Sequence, residues 1–325
     1  MVLKSGEVHS VERAAEKALV ELERQGLKAR TVSVIHLPEL RENIERFQRQ
    51  GMLEPGIVDV YMKWSYDAAA ALPGAKTVFI ASVPQPVTRA RFDFRGKSYT
   101  ADVPPTYIGK VDDARVKAVL EAALTPGGFK VKWAILPVKT LAVRSGLARY
   151  GRNNVTYVAG SGSYQRLVAF YSDCPCARDS WGELAAMKTC EKCVKCREAC
   201  PPRCIPEDRF LLHAEKCLTW HNEMERPLPD WVKPEWHNAL VGCMVCQRVC
   251  PANRYQNDKI APGPAFSEEE TGSILQKPPL EKLPEATRQK IESIAMDDSY
   301  DVLARNLAVL IKSQDMAGVA LNPKP

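Results

Sequence analysis

Between Cys190 and Cys204 the chain reads CEKCVKCREACPPRC. Cys190, Cys193, Cys196 and Cys200 follow C-x2-C-x2-C-x3-C, and Pro201 stands directly after the last of them. Three thiolates this close wrap one cubane cluster on a tight loop, while the cysteine before the proline turns away and ligates a second cluster. A segment with this spacing is organised by its ligands more than by a core, so it constrains the fold before any periodicity does.

The motif is half repeated downstream. CMVCQRVCP supplies Cys243, Cys246 and Cys250, again with a proline, Pro251, behind the last. Three positions before Cys243 stands Leu240, so one ligand is missing locally, and Cys217 in AEKCLTW is the free candidate to replace it. The spacing predicts one cluster on Cys190, Cys193, Cys196 and Cys250 and another on Cys200, Cys217, Cys243 and Cys246, which makes two [4Fe–4S] clusters. Zinc is the competing reading, because C-x2-C pairs also bind zinc. The longer run ending in Cys-Pro is the more specific signature of iron and sulfide. A purely structural role is the plainer alternative to an electron wire. Cys174, Cys176 and Cys204 are left over. They read as packed thiols, with a third metal site or a redox pair as the sharper alternative. His213 and His221 near Cys217 read as satisfied histidines.

All 11 cysteines fall between Cys174 and Cys250, a local clustering that argues for metal over disulfides. With 325 residues, 45% of them hydrophobic and 26% charged, the chain can bury a sizeable core without metal. The net charge of +6 would suit an anionic partner, but a solvated surface is the first reading and nucleic acid is not the leading expectation. The first 26 residues lack an apolar secretory stretch, and no run approaches the roughly 18 apolar residues of a membrane span. The expectation is a cytoplasmic protein without membrane contact.

Three segments are expected: an α/β domain over 1–172, the cysteine module over 173–262, and a linker with C-terminal helices over 263–325. Apolar spacing predicts a helix from about residue 9 to Gly26, carried by Val11, Ala14, Ala15, Ala18, Leu19 and Leu22. ARTVSVIHL reads as a strand, PELRENIERFQRQG as a helix, AKTVFIASVP as a buried strand, DDARVKAVLEAAL as a helix and FKVKWAILPV as strand-like. VTYVAG and YQRLVAFYS look like a hairpin joined by GSGS, APGPAF like a linker, and the stretch from EATRQ onward like one or two helices. The lone GSGS is no dinucleotide fingerprint, and neither a P-loop nor H-E-x-x-H is present.

The order of parts resembles a known family, the epoxyqueuosine reductases and their relatives the cobalamin-dependent reductive dehalogenases. The likeness is carried by ALPGAKTVFIASVPQP, SGLARYGRNNVTYVAGSGSYQRLVAFYSD, the paired cysteine motifs with KCLTW between them, and LARNLAVLI. It spans about residues 70–310, and its cysteine part is the most specific. It implies a nitroreductase-like α/β (α+β) cobalamin-binding domain with a bacterial ferredoxin-like two-[4Fe–4S] module. Electrons would pass from a ferredoxin- or flavodoxin-type donor through both clusters to a base-off corrinoid, which reduces an organic substrate. Lys139, Arg144, Asn153, Asn154, Ser163 and Tyr164 lie in the segments resembling the cofactor envelope and are candidate corrin contacts. One departure stands out: VKW occupies the place of the family's Val-Asp-Ser/Thr, so Lys132 replaces the proposed proton-donating aspartate. Lys132, if burial tunes it, or Tyr107 would then supply the proton. The alternative is an electron-transfer protein that re-reduces the cobalt of a corrinoid protein or methyltransferase and needs no substrate proton.

Overall fold

The computed structural model describes residues 13–176 and 178–321; Val11 of the expected first helix lies outside them. The chain forms two compact units, one of residues up to 84 together with 110–193, the other of 85–109 together with 194 onward. The second unit is therefore discontinuous in sequence. Neither boundary coincides with residue 172 or 262, the places where composition shifts.

The first unit is built on a four-stranded sheet. Its strands are β1 (Lys28–Ser33), β2 (Thr77–Pro84), β5 (Val131–Trp133) and β8 (Gln165–Ser172), in the order β1-β2-β8-β5, every pair antiparallel. In β2 the side chains alternate between two buried faces. Val78 and Ile80 join Leu40, Leu141 and Val143 on one side. Phe79, Ala81 and Val83 join Leu22, Val116 and Leu120 on the other. Helices therefore cover both faces: α1 (Ala14–Arg24) and α3 (Lys110–Leu124) on one, α2 (Leu37–Arg49) and α4 (Val138–Arg144) on the other. Continuous apolar strands with helices between them fit either a parallel or an antiparallel sheet; the pairing here is antiparallel throughout.

The expected hairpin of VTYVAG and YQRLVAFYS does not form. β7 (Thr156–Tyr157) pairs with β6 (Arg149–Tyr150), and β8 pairs with β2 and β5. Residues 158–164 make a tight loop closed by a bridge between Val158 and Gly162. β8 thus spends both edges on the main sheet and has none left for β7. The strand-like stretch from Phe129 to Val138 contributes only the three residues of β5.

The second unit holds a sheet of β3 (Val87–Phe94), β4 (Lys97–Val103) and β9 (Ile260–Phe266), in the order β4-β3-β9. The β3–β4 hairpin turns on Arg95 and Gly96, both with positive φ. β9 is the stretch expected to be a linker. It pairs parallel to β3 despite Pro262 and Pro264, with a register shift between Arg89 and Arg91. Edge position explains the tolerance, because an edge strand needs hydrogen bonds on one side only. Gly263 permits the approach, since a Cβ there would stand 2.9 Å from the Arg89 carbonyl oxygen. Phe92 and Phe266 stack across the pair with centroids 4.5 Å apart. Beneath them pack Ile274, Ile291 of α8 (Glu285–Ser293), and Leu303 and Leu307 of the last helix, α9 (Tyr300–Leu321).

Candidate functional site

The two cysteine motifs fold alike. In each, a short helix carries the middle cysteine: α5 (Lys195–Ala199) holds Cys196, and α7 (Val245–Arg248) holds Cys246. Cys200 caps α5 in an extended conformation, as Cys250 does one residue beyond the cap of α7. α5 and α7 pack against one another. The units part between Cys193 and Val194, inside the first motif. On the first unit's side, Arg152 donates to the carbonyls of Cys190 (2.6 Å) and Cys193 (3.2 Å), fixing that loop's backbone from a guanidinium.

All four cysteines expected to form the second ligand set lie within the second unit. Cys200 and Cys204 are buried with Ile205, and Cys196, Cys217 and Cys246 pack around them. Cys217 opens α6 (Leu218–Glu223), and Cys243 follows Gly242. A buried amide network clamps these two loops together. Asn306 of α9 donates to the carbonyls of Asn222 (2.9 Å) and Leu240 (2.8 Å), and Asn222 donates to that of Gly242 (2.8 Å). The neighbouring Arg305 reaches the carbonyls of His221 and Met224. The Leu240 amide in turn donates to the carbonyl of Asp102 on β4 at 2.8 Å. Asn238 donates to Cys243 Sγ at 3.3 Å and accepts from the Met244 amide, so the sulfur of one expected ligand carries a hydrogen bond. Hydrogen bonds to cysteine sulfurs are one of the means by which proteins set cluster potential.

The thiols differ in acidity. Hydrogen bonding from Cys204 draws Cys200 and Cys217 below the ordinary thiol range, which favours the thiolate that metal requires. Burial pushes Cys243 up to about 11, a cost that metal coordination would offset. Four soft sulfur donors, one hydrogen-bonded sulfur and a buried setting fit a cubane. Among the described residues no three His, Cys, Asp or Glu side chains are poised around a single ion. The thiolates of a cubane are a separate case, because they bind a cluster of irons and not one ion.

Tyr107 stands beside this set. Its hydroxyl donates to Glu223, and a Cβ at Gly242 would lie 2.5 Å from the same hydroxyl, so only glycine fits there, at φ +68°. Burial pushes the Tyr107 phenol upward, with Cys217 and Cys243 adding to the shift, and pushes the Glu223 carboxyl up to about 7. Lys132 is exposed on β5, an edge strand, paired in register with Tyr171. The burial on which its tuning as an acid depended is absent.

The candidate corrin contacts divide by environment. Lys139 is exposed and Asn154 half-buried, the latter with φ 55°. Arg144, Asn153, Ser163 and Tyr164 are buried. Asn153 donates to the Tyr157 hydroxyl at 3.1 Å. Arg144 pairs with Glu39 and lies over the Trp181 ring at 4.4 Å, while its Nε, also buried, has no hydrogen-bond partner. An exposed cation, a half-buried amide and one orphaned buried donor fit the amide and phosphate acceptors of a corrinoid in chemistry. Of the spare thiols, Cys174 is packed among Phe79, Val168 and Phe170, and burial pushes Cys176 up to about 11. Cys204 is not incidental: it lies 3.4 Å from Cys200, sulfur to sulfur. Glu223 lies in no motif, and Asn306 was not singled out although it stands in the LARNLAVLI stretch that carried the resemblance.

These features define an α/β protein carrying a segment for iron–sulfur clusters. Residues 189–253 match the family described as 4Fe-4S double cluster binding domain. The relatives are epoxyqueuosine reductases. That of Cyclobacterium marinum is 34% identical over 115 residues, covering 35% of this chain and 36% of its own length. That of Escherichia coli is 31% identical over 118 residues, covering 36% of this chain and 30% of its own. The chain thus spans about a third of the length of the curated relatives it matches. In fold the likeness extends further. The epoxyqueuosine reductase of Streptococcus thermophilus has a TM-score of 0.64 at 17% identity, over 96% of this chain and 87% of that one. An epoxyqueuosine reductase bound to an epoxyqueuosine-modified tRNA-Tyr stem loop has a TM-score of 0.63 at 18% identity, over 93% of this chain and 82% of that one. The resemblance seen in the cysteine motifs is borne out, and the fold is shared. Among the described residues no helix is long and apolar enough to cross a membrane.

Proposed function

We propose that this chain is an iron–sulfur reductase of the epoxyqueuosine reductase type, taking electrons from a ferredoxin- or flavodoxin-type donor through two [4Fe–4S] clusters. The clusters sit on Cys190, Cys193, Cys196 and Cys250, and on Cys200, Cys217, Cys243 and Cys246. The observation that carries this reading is the packing of Cys200, Cys217 and Cys246 against one another, beside loops that buried amides clamp. The α/β part is the nitroreductase-like domain that holds a corrinoid, with Lys139, Arg144, Asn153, Asn154, Ser163 and Tyr164 as its contacts. When bound, a corrinoid supplies a cobalt centre of low potential, the kind of chemistry a side chain cannot provide.

The chain's own residues do the rest. Thiolates hold the clusters, Asn238 and the amide network fix their loops, and the apolar surroundings exclude water. Tyr107 is the better placed of the two proton candidates, because Glu223 behind it keeps its own proton to about pH 7. The substrate proposed is a modified nucleoside in tRNA, which raises nucleic acid above the rank that charge alone gave it. An epoxide-to-alkene reduction consumes electrons in pairs, and two one-electron clusters can hold a pair.

The test is anaerobic purification with iron and sulfide quantified, followed by reaction with epoxyqueuosine-modified tRNA and a strong reductant. About eight irons per chain and formation of the reduced nucleoside are expected. About four irons would overturn the ligand scheme, and an unreacted nucleoside in fully loaded protein would overturn the substrate. A second reading, re-reduction of a partner corrinoid protein, is favoured by one observation: Lys132 is exposed where an aspartate was expected. Reduction of such a partner with no corrinoid retained would decide for it.

A further inference from the structure

Cys204 was the last cysteine of the opening stretch and the one without a role. It is 2% exposed, and its sulfur lies 3.4 Å from that of Cys200, within reach of an S–H···S hydrogen bond. Cys217 packs against the same pair. Both neighbours belong to the proposed second ligand set, and another polar contact to that set, Asn238 on Cys243, approaches from a different loop. The chain path explains the placement. Arg203 takes a positive φ of 53°, and its amide donates to the Cys200 carbonyl at 3.0 Å. That turn folds Cys204 back onto Cys200. The Cys204 carbonyl then accepts from the His213 amide at 2.8 Å, which holds it there.

A fifth thiol among four ligands has two possible chemistries: it can coordinate iron, or it can remain a thiol and donate its proton to a coordinated sulfur. The four positions of a cubane are already filled by Cys200, Cys217, Cys243 and Cys246. We propose that Cys204 is a non-coordinating donor that hydrogen-bonds a ligand thiolate of the second cluster and raises that cluster's reduction potential above that of the first. A donor draws electron density from the ligand sulfur, which stabilises the more negative, reduced cluster. The two clusters would then be unequal, and the inequality would direct electrons. This inference rests on the ligand set proposed above.

The experiment is an EPR-monitored redox titration of the cluster-loaded protein, with iron quantified, for wild type, Cys204→Ala and Cys204→Ser. Expected is retention of about eight irons in every form, with one midpoint of Cys204→Ala moved negative and the other unmoved. Cys204→Ser, which keeps an O–H donor, should fall back toward wild type. Iron falling to about four in either variant would make Cys204 a ligand and overturn the proposal. Unmoved midpoints at full iron content would overturn it too, while leaving the ligand set standing. Wild type holding fewer than two clusters would overturn the ligand set itself, and this inference with it.

Discussion

At the scale of single residues, acidity and burial are matched in pairs. Glu223 is partly buried, accepts a hydrogen bond from Tyr107, and is raised by desolvation to about 7 from an ordinary 4.5. A carboxyl raised in the fold favours its neutral form there. Its contribution to stability is complete below about pH 4.5 and is lost as pH rises through about 7. Glu223→Gln should remove that dependence and leave the variant more stable than wild type at pH 8, by roughly 2 kcal/mol after discounting for partial exposure. Thermal unfolding of the two proteins between pH 4.5 and pH 8 checks it; curves that stay parallel across the range would assign the shift elsewhere. Lys132 shows the limit of reasoning by position. Its replacement of an aspartate was visible in the sequence, but its exposure on an edge strand was not, because three residues of strand give no burial pattern to read.

At the scale of elements, the C-terminal helix α9 braces the cluster site from the far end of the chain. Asn306 is wholly buried and its amide holds two carbonyls, one on each loop. Asn306→Ala removes the donor from the Leu240 carbonyl and leaves the Asn222 carbonyl to Arg305, and should cost about 1–3 kcal/mol. It should also lower the iron retained by the second set after gel filtration, while Cys190 and Cys193, anchored through Arg152, keep theirs. Loss of stability with full iron would mean the brace holds the fold and not the ligands. The helices were legible because apolar spacing and glycine stops are local signals: Gly26 and Gly51 follow the first two, both with positive φ. Strand pairing is not local. The β3–β4 hairpin turns on Arg-Gly, outside the Asn-Gly and Asp-Gly signals of such turns, and went unread. β9, with two prolines and a glycine, carries every mark of a linker, and only the partner β3 makes it a strand. The candidate metal ligands could be proposed for the opposite reason, since cysteine spacing along the chain is itself what a cluster demands. Tyr107 meets Glu223, and Asn306 meets Asn222 and Leu240, only after folding, so no spacing announces these contacts.

At the scale of the whole molecule, the ligand scheme makes the two clusters share one module through crossed cysteines. Cys217 is its least conventional member, being far from either motif in sequence. Cys217→Ala should drop iron from about eight to about four per chain and erase one of two EPR midpoints. Retention of all the iron would assign that place to Cys204, its buried neighbour. The discontinuity of the second unit has a consequence for how the chain is made. β3 and β4 leave the ribosome long before β9, and Val87 must wait for Ile260 to complete the sheet. Long-range parallel pairing of this kind is slow, because loop closure precedes any gain from contact. During that wait Phe92 and its edge lie uncovered, so the nascent chain is most prone to aggregate before residue 260 has emerged. A chain interrupted just short of β9 would carry every cluster cysteine and still lack the strand that closes the sheet beside them.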